Sequence, residues 1–390
     1  MSEIVAIITE YNPFHNGHKY QIDKIREQIK DATIIAIMSG NCVQRGELAF
    51  ANKYTRAKIA TECGVDAVFE LPFPYCCSTA EIFASAGVEI ASKLGAKYLY
   101  FGIENDTIEN LEKNAEVVDS KEYDEEISKL INEEYLSYPK MREKALKNLG
   151  LKISNLSNDI LAIEYIRAIK NKNLLVEYRA IKRMGAGYKD NDVCEIMSAS
   201  AIRSEFYKTG RLLSLPKKAT EILENEVKDG YINDKSLTNK MLLSNVLFKS
   251  PADIENTFDV VSGMGFYIYE CAKKCKFPSM FTDDFSSKSY TTSRIKRSVI
   301  YTVFGVENID KTPKYTVLLS ANEKGKKIIK ENRKKENIVI ITKHSDSKKL
   351  DNNVLKQYEQ SLKFDEIYET LYFSPSAPKN AYNKIPYIKP

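Results

Sequence analysis

The first apolar positions of the chain form one short unbroken run, Ile4-Val5-Ala6-Ile7-Ile8-Thr9. A β-branched run of this length, apolar at successive positions, reads as a strand covered on both faces. It stops at Glu10-Tyr11-Asn12-Pro13-Phe14. His15-Asn16-Gly17-His18 then opens a segment with Tyr20, Ile22 and Ile25 on one helical face. The same rhythm recurs: residues 33–38 (TIIAIM) read as a second buried strand, 39–46 as a turn-rich connection, and 52–63 as a helix. Residues 67–70 form a third strand closed by Leu71-Pro72-Phe73-Pro74. A helix over about 79–93 follows, capped by Ser78 or Thr79, and a fourth strand over 98–101 ends at Gly102. Residues 103–150 are acidic and polar, a helical insertion. A helix over 158–170, a fifth strand over 174–181 and a glycine-containing loop over 182–188 come next, and 196–203 begins another helix. Strands alternating with helices predict an α/β fold with a doubly wound parallel sheet, its ligand at the carboxyl ends of the strands. From about Lys217 the pattern turns mostly helical, with short strands over 318–320 and 338–342. The expected division is an α/β domain over 1–210, carrying the insertion at about 103–150, and a mainly α-helical domain over 211–390.

Composition narrows the class. With 390 residues, 43% hydrophobic and 28% charged, the chain reads as a soluble protein of two or three domains. No apolar run approaches the ~20 residues of a membrane span, and Ser2-Glu3 leads straight into the first strand, so neither a membrane association nor a leader is expected. Cys42, Cys63, Cys76, Cys77, Cys194, Cys271 and Cys275 contain no CxxC pair. That argues against a disulfide framework or a zinc site and for a cytoplasmic location. Cys271 and Cys275 share a helix face and read as packing. The net charge of +5 is uneven, since residues 286–335 hold 13 Lys/Arg against 4 Asp/Glu. A basic excess concentrated in this way predicts a polyanion contact in the C-terminal part.

The candidate chemistry gathers at predicted strand ends. A helix beginning with His-x-Gly-His directly after the first strand suits phosphate: backbone N–H groups and the positive helix end face the turn. Gly17 lets a nucleotide approach the backbone, and His15 and His18, about one turn apart, can donate to phosphate oxygens. The third histidine, His344, has no partner histidine nearby in sequence. The motif resembles the signature of the HIGH nucleotidyltransferase superfamily. Ser198-Ala199-Ser200-Ala201-Ile202-Arg203 resembles its second signature, in which hydroxyls and a helix N-terminus contact phosphate and the basic residue neutralises the pyrophosphate leaving group. Lys53 and Arg56 share a helix face and either hold a substrate carboxylate or phosphates or face solvent. Arg45 follows a strand end, where a cation meets a ligand. Lys182 and Arg183 end a strand, and Arg183 suits a phosphate clamp or a stack on adenine. Glu10 either orients a donor or makes a structural hydrogen bond. With no Ser-His-Asp triad and no Cys/His pair, the chemistry is positioning plus charge stabilisation of an in-line attack on an α-phosphate.

The resemblance extends further, over about the first 210 residues. Residues 7–20 (IITEYNPFHNGHKY), 38–47 (MSGNCVQRGE), 53–57 (KYTRA), 70–75 (ELPFPY), 78–83 (STAEIF), Phe101-Gly102, 157–162 (SNDILA), 181–188 and 197–203 are similar to the tRNA(Met) cytidine acetate ligase family, as is 288–297 (KSYTTSRIKR) farther on. The resemblance implies activation of acetate by ATP to acetyl-adenylate and pyrophosphate, with Mg²⁺ carried on ATP. Acetyl transfer to N4 of the wobble cytidine of elongator tRNA(Met) follows, and no DNA partner is expected. It implies an ATP segment of Ile7, Ile8, Thr9, Glu10, Tyr11, Asn12, Pro13, Phe14, His15, Asn16, Gly17, His18, Lys19 and Tyr20, completed by Gly102, Asn158 and Arg183. The catalytic candidates are His15, His18, Arg45, Lys53, Arg56, Ser198 and Arg203. Lys288, Tyr290, Arg294, Lys296 and Arg297, followed by Lys324, Lys326, Lys327 and Lys330, are candidates for tRNA contacts, Tyr290 by stacking on an unpaired base. Two stretches depart from the family pattern: Leu48-Ala49-Phe50-Ala51-Asn52 lacks its Pro and Asp, and Leu318-Leu319-Ser320-Ala321-Asn322 lacks its Arg and Gly. Two rival readings are a nucleotidyltransferase adenylating a small phosphorylated metabolite and a non-catalytic RNA-binding protein.

Overall fold

Strand β1 (Ile4–Thr9) leads into helix α1 (Asn16–Gln28), and β2 (Thr33–Ser39) into a small hairpin, β3 (Cys42–Val43) and β4 (Glu47–Leu48). Helix α2 (Lys53–Glu62), strand β5 (Ala67–Leu71), helix α3 (Ala80–Lys93) and strand β6 (Tyr98–Ile103) follow. A computed structural model describes residues 2–133, 138–183, 196–283, 285–335, 337–374 and 381–390. Side chains on successive strand positions part to opposite faces. Val5, Ile7, Ile34, Ala36 and Met38 pack with α1 and α2 on one side, whereas Ala6, Ile35 and Ile37 pack with α3 on the other. All seven residues of β2 are buried, which is why the run carries no polar alternation.

The insertion consists of α4 (Ile108–Val118), α5 (Lys121–Glu133) and α6 (Tyr138–Asn148), around its own small core of Val118, Tyr123, Leu130, Ala145 and Leu146. Helix α7 (Ser157–Asn171) returns to the α3 face, and β7 (Glu177–Lys182) closes the parallel part of the sheet. This fifth long strand begins three residues later than the apolar run predicts. Residues 174–176 instead connect the turn after α7 to the strand, and the Leu174 amide bonds the Ile169 carbonyl. Helices α8 (Ala199–Thr209), α9 (Lys217–Asp229), α10 (Lys235–Leu247), α11 (Pro251–Glu255), α12 (Met264–Lys274) and α13 (Thr292–Phe304) make up the helical part.

The chain then returns to the first sheet. Strand β8 (Tyr315–Ala321) pairs antiparallel with β5, and helix α14 (Glu323–Lys335) follows. Strand β9 (Val339–Ile341), helix α15 (Asn352–Glu369) and strand β10 (Tyr387–Ile388) complete the fold, with β9 and β10 parallel to β8. The eight-stranded sheet has the order β10-β8-β5-β2-β1-β6-β7, with β9 beside β8. A division at residue 210 therefore does not coincide with the edge of the sheet. All seven residues of β8 are buried, and such a strand satisfies its backbone only by joining a sheet. The helical part also shares its core with the sheet, since Val246, Ile268, Ile295 and Tyr301 lie in one cluster with Ile35 and Phe69. Strand β1 has β2 on one side and β6 on the other, so successive connections wind away from it in opposite directions. Its carboxyl end is the switch point, where open α/β sheets place ligands.

Candidate functional site

The turn after β1 sets two imidazole rings at the head of α1. Tyr11 takes a left-handed backbone conformation (φ 47°), and its buried ring packs 4.8 Å from both Phe14 and His18. The Asn12 side-chain oxygen accepts from the Phe50 amide at 2.7 Å. His15 caps α1: its Nδ1 accepts from the Gly17 amide at 3.0 Å, and Nδ1 of His18 accepts from the His15 amide at 3.2 Å. An Nδ1 that accepts carries no proton, so each neutral ring holds its proton on Nε2 and donates from there. The rings stack at 3.8 Å. Burial pushes the His15 pKa down to about 3, aided by Arg183. Burial, His15 and Arg183 hold His18 well below the ordinary histidine range. Both rings are thus neutral donors near neutral pH. A Cβ on Gly17 would sit 2.9 Å from His15 Cε1, so only glycine leaves the capping ring in place.

A second set of groups converges from β6, α7 and β7. Arg183 donates to Asn158 Oδ1 at 3.0 Å and crosses Gly102, where a Cβ would lie 2.9 Å from its Cγ. Asn158 in turn donates to Glu104. Asp159 fixes this corner by accepting from the Glu104 amide (2.7 Å) and the Ser154 hydroxyl (2.5 Å). Arg45 reaches across from the β3–β4 turn to the Ser157 hydroxyl. Ser198 caps α8 by accepting from the Ala201 amide and lies 3.1 Å from the Ser200 hydroxyl. Ile196, just before this cap, approaches Gly17, so two helix N-termini meet beside the histidines. Arg203 donates to the Asn12 carbonyl at 2.7 Å and to Glu47 at 3.1 Å. His15, His18, Gly102, Asn158, Arg183, Ser198 and Arg203 therefore share one region at the carboxyl ends of the strands, with Arg45 at its rim. Within residues 7–20, Ile7 and Phe14 point into the core, and Lys19 pairs with Asp23 along α1. Residues 184–188 of the glycine-containing loop, with Cys194, lie outside the described residues.

Lys53 and Arg56 share a face of α2, but that face is buried. Lys53 Nζ lies 2.7 Å from Glu70 and 2.6 Å from Asp365. Burial opposes its charge, and those two carboxylates hold it well above the ordinary lysine range. Burial, with Asp365 nearby, raises Glu70 to about 7. Arg56 gives its donors to three carbonyls, Ala51 (2.9 Å), Glu10 (2.5 Å) and Gly40. Neither cation faces solvent. Arg56 ties the turns after β1 and β2 to α2, and Lys53 ties α2 to β5 and α15. Glu10 accepts from the Gln44 amide at 2.9 Å; burial raises its carboxyl above the usual range against that bond and the pull of Arg203 and Arg45. Sequence reasoning quoted Gln44 and Glu47 within the 38–47 motif without giving them a role, and passed over Glu104 and Asp365. Glu47 stood beside Gly46 in a turn-rich stretch, a usable signal, whereas Asp365 carried none.

The basic candidates divide. Lys288 is exposed, and Tyr290 is half-buried near Tyr267. Arg294 pairs with Asp259 at 2.8 Å, with the buried Arg297 beside the same carboxylate, and Lys296 pairs with Glu47 at 2.8 Å. Lys324, Lys326, Lys327 and Lys330 lie on α14, whose start is held by Asn322 against Asp66 at the amino end of β5. That is the opposite end of the sheet from His15. Among the described residues, six cysteines are free thiols. Among the described residues, no helix is long and apolar enough to cross a membrane.

Three comparisons bear on this site. The family model described as HIGH Nucleotidyl Transferase matches residues 2–383. The tRNA(Met) cytidine acetate ligase of Thermoanaerobacter sp. (strain X514) is 35% identical over 393 residues, covering 96% of each chain. That of Halothermothrix orenii is 31% identical over 406 residues, again 96% of each. Among solved structures, Thermotoga maritima TmcAL bound with alpha-thio ATP superposes with a TM-score of 0.88 at 28% identity, covering 99% of both chains.

Proposed function

We propose, since this chain belongs to the HIGH nucleotidyl transferase family and within it to the tRNA(Met) cytidine acetate ligases, that it activates acetate with ATP and acetylates tRNA(Met). In this ATP-dependent ligase, acetate attacks the α-phosphate and pyrophosphate leaves. N4 of the wobble cytidine in elongator tRNA(Met) then attacks the acetyl carbonyl and AMP leaves. The observation that carries the reading is the pair of neutral histidines, each with Nδ1 taken by a local amide, at a helix N-terminus flanked by Arg183 and Arg203.

The residues divide the work. His15 and His18 donate to phosphate oxygens from Nε2 without adding a charge that must be desolvated. Arg183, held by Asn158, clamps the nucleotide at the β6–β7 side. The α8 N-terminus at Ser198 and the Arg203 guanidinium take the charge that grows on departing pyrophosphate. Arg45 lies at the rim, beside α7. On this reading Arg56 supports the turns after β1 and β2, and Lys53 joins α2 to β5 and α15. Mg²⁺ arrives on the triphosphate, and Lys288 and Tyr290 meet the tRNA. The enzyme works in the cytoplasm with its tRNA.

Acetate-dependent exchange of labelled pyrophosphate into ATP, followed by acetyl transfer to elongator tRNA(Met), tests the proposal. Exchange that requires acetate, with labelled acetate then found in the tRNA, is the expected result. Exchange without acetate, or AMP transfer to a phosphorylated metabolite, would overturn it.

A further inference from the structure

The β3–β4 hairpin touches both sides of the molecule, and one of its residues bridges them. Gly46, at φ 77°, abuts the backbone of α13, where a Cβ would lie 2.5 Å from the Arg297 amide nitrogen. The neighbouring Glu47 places one carboxylate oxygen 3.1 Å from Arg203 and the other 2.8 Å from Lys296. Arg203 comes from the second signature helix, α8, and Lys296 from the basic helix, α13. On its other side Arg203 donates to the Asn12 carbonyl in the turn after β1. We propose that Glu47 is a positioning residue: it holds the Arg203 guanidinium toward the nucleotide, and Lys296 keeps that carboxylate balanced.

The physical argument is one of charge accounting. A carboxylate beside a triphosphate site repels the substrate unless a cation offsets it. Glu47 has two cations for one charge, so the Arg203–Glu47–Lys296 group is net positive and Arg203 keeps attraction to spare. Burial pushes the Glu47 carboxyl up, but Lys296 and Arg203 outweigh it and hold it below the ordinary range. Removing Lys296 leaves Arg203 to neutralise Glu47 alone. Removing the Glu47 charge leaves Arg203 with one tether, and its side chain regains rotamer freedom.

This inference rests on the proposed ATP-dependent reaction. The test is titration of ATP against the full-length protein and its Glu47→Gln, Glu47→Asp, Lys296→Met and Glu47→Gln/Lys296→Met variants, with thermal midpoints measured alongside. Glu47→Gln is expected to weaken ATP binding about tenfold with a thermal midpoint near wild type, and Glu47→Asp to recover most of the loss. Lys296→Met is expected to weaken ATP about threefold alone and not at all in the Glu47→Gln background, because coupled residues are non-additive. A Glu47→Gln protein with wild-type ATP affinity, or losses that multiply in the double variant, overturns the proposal. A wild type that binds ATP yet shows no acetate-dependent exchange counts against the acetate-ligase reading alone.

Discussion

Helices α1 and α2 begin alike and end differently. Each starts beyond the carboxyl end of a sheet strand, and each offers two nitrogen-bearing side chains three residues apart: His15 and His18 on α1, Lys53 and Arg56 on α2. The α1 pair stays available because its members are neutral and, among the described residues, only their Nδ1 atoms are engaged, by local amides. The α2 pair is consumed because a buried fixed charge must be matched: Lys53 by two carboxylates, Arg56 by three carbonyls. Burial costs a neutral donor little and an unpaired cation a great deal. One doublet can therefore wait for a ligand, while the other holds the fold.

The largest expected effect breaks the α2 side. Lys53→Met leaves Glu70 and Asp365 facing each other without a cation, which costs about 3–5 kcal/mol. Urea denaturation measures it, and adding Glu70→Gln should recover part of the loss. An unchanged midpoint would show that the triad contributes nothing. Next, His18→Ala removes a donor to the phosphates and should slow acetate-dependent pyrophosphate exchange about 10²–10³-fold. Its unfolding midpoint should move far less than that of Lys53→Met; the reverse ranking would erase the contrast between the helices.

A pH series sharpens the comparison. His15 is held at about 3 in the folded state by burial, against 6.5 ordinarily. Between those values the unfolded chain binds the proton and the folded chain does not. The His15 contribution is thus fully present above pH 6.5 and is lost as the pH falls toward 3, at up to ~1.4 kcal/mol per pH unit. Stability measured from pH 7 to 5 should drop, and the slope should flatten in His15→Gln. The smallest effect tests the cap: Gly17→Ala crowds the His15 ring and should raise KM for ATP about tenfold, with kcat for exchange retained at saturation. A change in kcat alone would place His15 elsewhere in the reaction.

Much of the phosphate-binding half was legible because it is local. The run into β1, the turn and the two histidines lie within about fifteen residues, so strand, cap and donors are written consecutively. Gly102 and Arg183 follow predicted strands, whose ends the parallel sheet brings together, whereas Asn158 and Arg203 were placed by the family resemblance. The hairpin β3–β4 was read as a turn because two-residue strands carry no periodicity. The expected helical domain over 211–390 overlooked how far β8 belongs to the first sheet, since a short apolar run does not say which edge it will join.

By itself, then, the amino-acid sequence determined the parallel α/β framework, the histidine pair at the head of α1 and the order in which the site's pieces arrive. These follow from side-chain spacing and backbone preferences within a few residues. Only the tertiary structure decided which cations remain free. Lys53 meets Asp365 across 312 positions, and Lys296 meets Glu47 across 249. Whether a charge faces a ligand or an internal partner is set by what packs against it, and no local pattern carries that information.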